Sequence, residues 1–297
     1  MRIIIYVLLT LLLSLHTLLA QEKVEINAGH HILEGPYLGQ KPPGLVPQPF
    51  APGLITTKSV EDGGVFTTAM DAFYFLRVNP ETNKMESIIY KQKNNRWIKT
   101  AMEKDGRPFY PYFAPDGKTM YMGKRYKERT ATGWSEIKSL GGAFEDINIM
   151  SLSASLKGTY AIDERGTNDD GILRYSRLVN GKREAPIPFG KEINSGTRNA
   201  HPFIAPDESY MMWDGIKESG YGNVDLYISF RQPDGSWGAA INMGDQINTE
   251  AYEAGAKVTP DGKYVFFVRV VKSTEEDLYA DIDIYWVDAQ IIETLRP

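Results

Sequence analysis

One short pattern constrains this chain more than any other feature: residues 258–268 read VTPDGKYVFFV, two apolar runs around Pro260-Asp261-Gly262. Proline presets φ, aspartate offers an acceptor and glycine is free to take positive φ, so the segment predicts strand, tight turn, strand. The pattern recurs as PFYPYFAPDGKTMYM at 108–122 and HPFIAPDESYMMW at 201–213, with weaker copies GVFTTAMDAFYF at 64–75 and MSLSASLKGTYAI at 150–162. Aligned on Asp71, Asp116, Ser155, Asp207 and Asp261, the copies lie 45, 39, 52 and 54 residues apart. Such a period, with about four short strands per unit, belongs to a β-propeller rather than to a helical solenoid.

A second hairpin follows each of the first four copies. The turns are Asn94-Asn95 after the first, Gly133 after the second, Asn180-Gly181 after the third and QPDG at 232–235 after the fourth. The fifth copy is followed only by DIDIYWV at 281–287 and a short helix-like end at 290–295. Its fourth strand is therefore missing at the C-terminus. Residues 243–249 (MGDQINT), at the end of the fourth unit, resemble 52–57 (PGLITT) near the start. The N-terminal segment is accordingly expected to pair onto the last blade and close the ring, which removes exposed sheet edges. The expected fold is all-β: a single β-propeller of five blades of four antiparallel strands, or six if the leader hides a degenerate one.

Residues 1–20 carry one arginine, an apolar run at 3–13 and a small residue, Ala20, at the end. This is the layout of a signal peptide. The competing reading, an uncleaved anchor, is disfavoured because a span needs about 20 apolar residues. Residues 21–55 form a Pro/Gly-rich leader that excludes a long helix or a central strand, and 56–297 form the propeller. The 297 residues contain no cysteine, which excludes disulfides, lipidated cysteine and thiolate metal sites. With 33 basic and 38 acidic residues and no basic stripe, nucleic acid is not an expected partner. A periplasmic or secreted location, no membrane span after cleavage and a monomeric state are expected.

The APDGK turn at 114–118, the TPDGK turn at 259–263, DLYISFRQPDGSW at 225–237 and GPYLGQKPPG at 35–44 resemble the bacterial TolB-type propeller repeats, a WD-like family built on Pro-Asp-Gly. The resemblance covers about residues 60–289. It is weaker at Pro206-Asp207, where Glu208 replaces glycine, and poor at Ala154-Ser155 and Met70-Asp71. It implies a propeller exported to the envelope. Members of that family are scaffolds, binding modules or carbohydrate-active enzymes, so the activity stays open.

If the Pro-Asp-Gly turns share one face, the starts of the inner strands ring the channel on the other. Those positions hold Asp62, Arg107 with Tyr110, Asp146 with Asn148, Arg198 with Asn199 and His201, and Tyr252 with Glu253. Loops between second and third strands add Arg77, Arg125, Glu164, Arg165, Asp214 and Arg269. Ligand binding is assigned to Arg107, Arg198, Asn199, His201, Tyr252 and Glu253, because guanidinium groups grip acids bidentately. The alternative is that these residues pair with one another inside a closed ring. The turn aspartates are read as acceptors for turn amides. Asn168-Asp169-Asp170-Gly171 lacks the spaced ligands of a calcium loop, while Asp281 and Asp283 alternate on one strand face and either flank a cation or face solvent. No metal site or cofactor is expected: there is no His-x-x-x-His, P-loop, dinucleotide fingerprint or G-x-S-x-G elbow.

Two functions follow. The first is a non-catalytic binding or scaffold propeller of a bacterial envelope, with a protein or oligosaccharide ligand at the channel face. The second is an exported glycosidase or polysaccharide lyase at the channel mouth, with Asp62, Asp146 and Glu253 as acid, base or nucleophile. Glycoside hydrolysis needs two carboxyl groups about 5–5.5 Å apart for retention or about 6.5–9.5 Å for inversion.

Overall fold

A computed structural model describes residues 33–101, 109, 111–166, 171–274 and 280–297. It is a five-bladed β-propeller, each blade an antiparallel sheet of four strands. Blade I runs Glu61–Phe66, Ala72–Asn79, Lys84–Lys93 and Arg96–Ala101. Blade II contains Tyr112–Phe113, Thr119–Met122, Arg125–Thr130 and Lys138–Ser139, with Gly133–Trp134 also paired to its third strand. Blade III contains Leu152–Ala154, Tyr160–Glu164, Ile172–Ser176 and Ile187–Pro188, and blade IV contains Thr197–Ile204, Tyr210–Ile216, Asp225–Phe230 and Ile241–Asn242. Blade V takes Glu253–Val258, Tyr264–Lys272 and Asp281–Asp288 from the end of the chain and Gln48–Pro49 from its start.

The repeated turns behave as their chemistry requires. Gly117 and Gly262 sit at φ +70° and +76°, and Asp116 accepts the Lys118 amide at 2.9 Å. In blade IV, Glu208 takes the glycine's place at φ +67°, a conformation that is costly for a residue with a Cβ. Its carboxylate accepts the Ser155 hydroxyl at 2.7 Å, and the Leu156 amide donates to Pro206 O at 2.8 Å. The turn of blade III is thus latched to that of blade IV.

Ring closure uses the N-terminal segment, as expected, but four residues earlier than 52–57. Gln48 and Pro49 lie opposite Trp286 and Tyr285. Pro49 has no N–H, which an outermost strand tolerates because one of its edges is unpaired. Tyr37 donates its hydroxyl to Asp261 in the blade V turn, while Trp97 of blade I donates Nε1–H to Gly35 O at 2.7 Å. The leader therefore straddles the seam between the first and last blades. Among the described residues it forms no blade of its own.

Phe50 is fully buried at this seam, with ring centroids 4.8 Å from Phe266 and 5.1 Å from both Phe73 and Trp286. Phe73 belongs to blade I, whereas Phe266 and Trp286 belong to blade V. Phe50→Ala is expected to cost about 3–5 kcal/mol through lost burial and a residual cavity. Equilibrium denaturation would read this as a lower midpoint, and a loss below about 1 kcal/mol would contradict a tightly packed seam.

Residues 54–57 form a clasp instead of a strand. Glu61, fully buried, accepts Thr57 Oγ1–H at 2.6 Å, the Thr57 amide at 3.1 Å and Arg77 Nε–H at 2.8 Å. Arg77 Nη2 then donates to Leu54 O and Ile55 O at 2.8 and 2.6 Å. Blade V carries the same device: Glu253 holds Thr249 and Arg269, and Arg269 donates to Ile247 O at 2.7 Å. The likeness between 52–57 and 243–249 is thus a shared clasp. Among the described residues, no helix is long and apolar enough to cross a membrane.

Candidate functional site at the channel mouth

The mouth opposite the Pro-Asp-Gly turns is a cavity of about 280 Å³ where blades I, III, IV and V converge. The innermost strand of blade IV supplies its centre, and that strand is distorted. Its register with the second strand slips on either side of Ala200, and Arg198 and His201 take φ of +55° and +47°. The register places His201 in the column occupied by Gly63 in blade I and Gly255 in blade V, at φ +87° and +68°. Two blades thus meet this geometry with glycine, and the third strains a histidine into it. Backbone strain of this kind concentrates at functional positions.

Two buried aspartates hold that histidine. Asp214, on the second strand of blade IV, accepts His201 Nδ1–H at 2.9 and 3.1 Å and the Gly255 amide of blade V at 2.9 Å. Asp163, its counterpart in blade III, accepts the amides of Met150 and Ser151 at 2.9 and 2.7 Å and the His201 amide at 3.1 Å. Each carboxylate therefore ties its blade to the next. Burial alone would push the His201 pKa down, but Asp214, then Asp163 and Asp62, favour the imidazolium and hold it up at about 9. Burial in turn pushes Asp163 up, against the pull of His201 and the three amides. At neutral pH the floor of the mouth therefore carries a cation fixed between carboxylates.

Of the residues assigned from sequence, Asp62, Arg198, Asn199, His201 and Tyr252 line this one cavity. Asn199 is almost fully buried, and its Oδ1 has no hydrogen-bond partner among the described residues. Glu253 follows Tyr252 in the chain but points into its own blade, closed in the clasp with Thr249 and Arg269. Asp146 is exposed after the 3-10 turn Gly142–Phe144 and is not part of the lining. Arg107 and Tyr110, like 168–170 of the Asn-Asp-Asp turn, lie outside the described residues. Glu164 and Arg165 border the cavity, with Glu164 paired to Arg174 at 2.6 Å.

Asp163 was missed by reading the inner-strand starts, although a signal existed. It stands nine residues after Ala154, as Asp214 stands nine after Ala205, so an alignment on the alanine brings the two into one column. Deeper in the channel Lys257 faces the same carboxylates. Burial pushes its pKa down to about 8, against the attraction of Asp62 and Asp214. On the last blade, burial and the neighbouring Asp281 and Glu61 carboxylates push Asp283 up to about 7. Among the described residues, no three His, Cys, Asp or Glu side chains are grouped so as to hold a metal ion.

No family model and no curated protein matches the chain. Among solved structures it is similar to TolB from Acinetobacter baumannii, at 11% identity and a TM-score of 0.45 over 78% of this chain. The match spans 57% of the length of that TolB chain. It is also similar to a thermostable family-43 glycoside hydrolase, at 14% identity and a TM-score of 0.48 over 78% of this chain and 90% of that one. A third similar structure is the catalytic domain of the Coprinopsis cinerea GH62 alpha-L-arabinofuranosidase, at 9% identity and a TM-score of 0.47 over 85% and 94%. No residue role is carried over from any of them.

Proposed function

We propose that this chain is an exported, non-catalytic binding propeller of a bacterial envelope, whose ligand seats in the mouth around His201. One observation carries the reading: the carboxylates of the mouth are already committed to the fold. Asp163 holds three amides, Asp214 holds the imidazole and a fourth amide, and Glu164 is paired with Arg174. Asp62 is the remaining lining carboxylate, and it accepts the adjacent Gly63 amide at 2.6 Å. Hydrolysis of a glycoside calls for two carboxyl groups in position, whereas binding calls only for complementary charge and shape.

The ligand this mouth suits carries an acidic group and hydroxyls. The His201 cation and Arg198 meet the acid, while Asp62, Asn199 Oδ1 and Tyr252 meet the hydroxyls. The terminal residue of an acidic glycan, or an acidic side chain of an envelope protein, fits that description. Export rests on the layout of residues 1–20.

Thermal unfolding with a panel of neutral and acidic oligosaccharides tests the reading. An acidic sugar at 100 times its Kd should add about 2.7 kcal/mol of stability. The shift should vanish in Arg198→Asn, a variant chosen because asparagine tolerates the left-handed backbone there. No reducing ends should be released. Their appearance, and loss in Asp62→Asn, would replace this reading with a glycosidase. The absence of any shift would remove the glycan and leave the protein ligand.

A further inference from the structure

A groove of about 450 Å³ runs between blades III and IV, away from the channel. Its aromatic wall is Tyr175 and Phe189 of blade III, ring centroids 4.9 Å apart, with Trp237 of blade IV 6.2 Å from Phe189. Strand register identifies its counterpart elsewhere in the ring. In blades I and IV, Ile89 and Ile228 hold one third-strand position, opposite Tyr74 and Met212. Three residues further on, Gln92 lies opposite Trp97 and Arg231 opposite Trp237. In blades V and III the turns match: the Thr259 amide donates to Tyr264 O, and the Ser155 amide to Thr159 O. Counted from those turns, Trp286 and Tyr175 share a third-strand position, opposite Phe266 and Ala161. The groove between blades III and IV is therefore the counterpart of the seam between blades V and I.

That seam is filled by the leader. Gly35 O accepts Trp97 Nε1–H at 2.7 Å and Gln92 Nε2–H at 2.8 Å. The Tyr37 ring lies 4.8 Å from Tyr264 and 5.7 Å from Trp286, and Glu34 pairs with Arg96 at 2.6 Å. Between blades III and IV the same donors are unspent. Arg231 lies over the Trp237 ring at 4.9 Å, and neither side chain donates a hydrogen bond among the described residues. Thr159 in the place of Tyr264 leaves room beside Tyr175. The charges differ as well. Arg231 stands for Gln92, and Lys157 stands for Asp261, 3.7 Å from Glu208. Glu208 is already held by Ser155, and Glu192 folds back against Gly190. Two positions that are neutral or acidic in the leader's seat are thus cationic here.

We propose that the groove between blades III and IV docks an extended acidic peptide segment of a partner protein, carrying a Gly-Pro step and then an aromatic residue. The leader's own Glu34-Gly35-Pro36-Tyr37 shows the arrangement in the equivalent seam. A backbone carbonyl of the partner meets Trp237 Nε1–H and Arg231, its aromatic ring lies against Tyr175, and its acid meets the cationic rim. Proline holds such a segment extended beforehand, which lowers the ordering cost of docking on aromatic rings. The proposal does not depend on the reading of the His201 mouth, since the two cavities share no lining residue.

Titration calorimetry of the folded protein with the synthetic peptide LEGPYLGQ, the sequence of residues 33–40, tests this. The peptide should bind, and its Tyr37→Ala analogue should bind about tenfold more weakly. Trp237→Phe keeps a ring and removes the Nε1–H, while Arg231→Ala removes the second donor. Each should weaken the peptide about tenfold. Arg231→Gln, which copies Gln92, should restore binding to within about threefold of wild type. Arg231 is exposed, so its variants leave the core intact. No heat from the peptide would overturn the proposal, as would undiminished binding in both Trp237→Phe and Arg231→Ala. Loss in Trp97→Phe alone would mean exchange with the chain's own leader, and would overturn it too. Heat from a neutral oligosaccharide in place of the peptide would make this a glycan groove. A dimer in sedimentation, broken by Arg231→Ala, would assign the groove to a second copy instead.

Discussion

Arg77→Met is expected to destabilise the protein by about 3–5 kcal/mol, because it leaves Glu61 as a buried carboxylate without its cation. For a chain of this size that is a fall of roughly 10 °C in Tm. The double variant Glu61→Gln/Arg77→Met should recover much of the loss, since replacing both partners removes the unpaired charge. Arg269→Met breaks the equivalent clasp of blade V and should cost a similar amount. The two differ in what they release. Arg77 also grips the carbonyls of Leu54 and Ile55, which belong to the closing segment, whereas Arg269 grips Ile247 within the run of the chain. Limited proteolysis should therefore cut the 40–57 region faster in Arg77→Met than in Arg269→Met. Equal cutting in both would show that the blade I clasp does not secure the closure.

The second large effect is a pH dependence centred on His201. Its pKa is about 9 in the folded chain and about 6.5 for an ordinary imidazole. The folded value is the higher, so the stabilisation is fully present below about pH 6.5 and is lost as pH rises through about 9. Its size is about 3 kcal/mol. Urea unfolding of the wild type and His201→Gln at a series of pH values isolates it. The stability gap should be widest near pH 6 and should narrow steadily toward pH 9.5. Lys257 titrates in an overlapping window with the opposite sense, because its folded pKa is depressed, and the subtraction removes its contribution. A gap that stays constant across the series would mean that His201 is not charged against Asp214 and Asp163.

The repeat made the architecture legible because the turn chemistry of Pro-Asp-Gly and the alternation of strands are local properties, written in five copies. Closure was legible only as a missing strand. The choice of Gln48–Pro49 over 52–57 depends on where Phe50 finds its pocket between Phe73, Phe266 and Trp286, which is a tertiary matter. At the mouth, the inner-strand starts pointed to Asp62, Arg198, Asn199, His201 and Tyr252 because strand order alone carries them to one rim. Glu253 shares that address, but strand alternation turns it the other way from Tyr252, and the Thr-x-x-x-Glu spacing it shares with Thr57 and Glu61 marked it for the clasp. Asp146 fell in a loop whose path no periodicity specifies. The bulge that strains His201 left no trace in the pattern, since only the comparison with Gly63 and Gly255 reveals it.

The seam also has a consequence in time. Gln48 and Phe50 are made more than two hundred residues before the strand they complete, Asp281–Asp288. Until that strand is made the closing residues have nothing to join, and a chain cut short anywhere before blade V leaves the circle open. Pairing between partners more than two hundred residues apart is slow to find. Closure is therefore a late event in folding, and the ring stays unlocked until its last blade arrives.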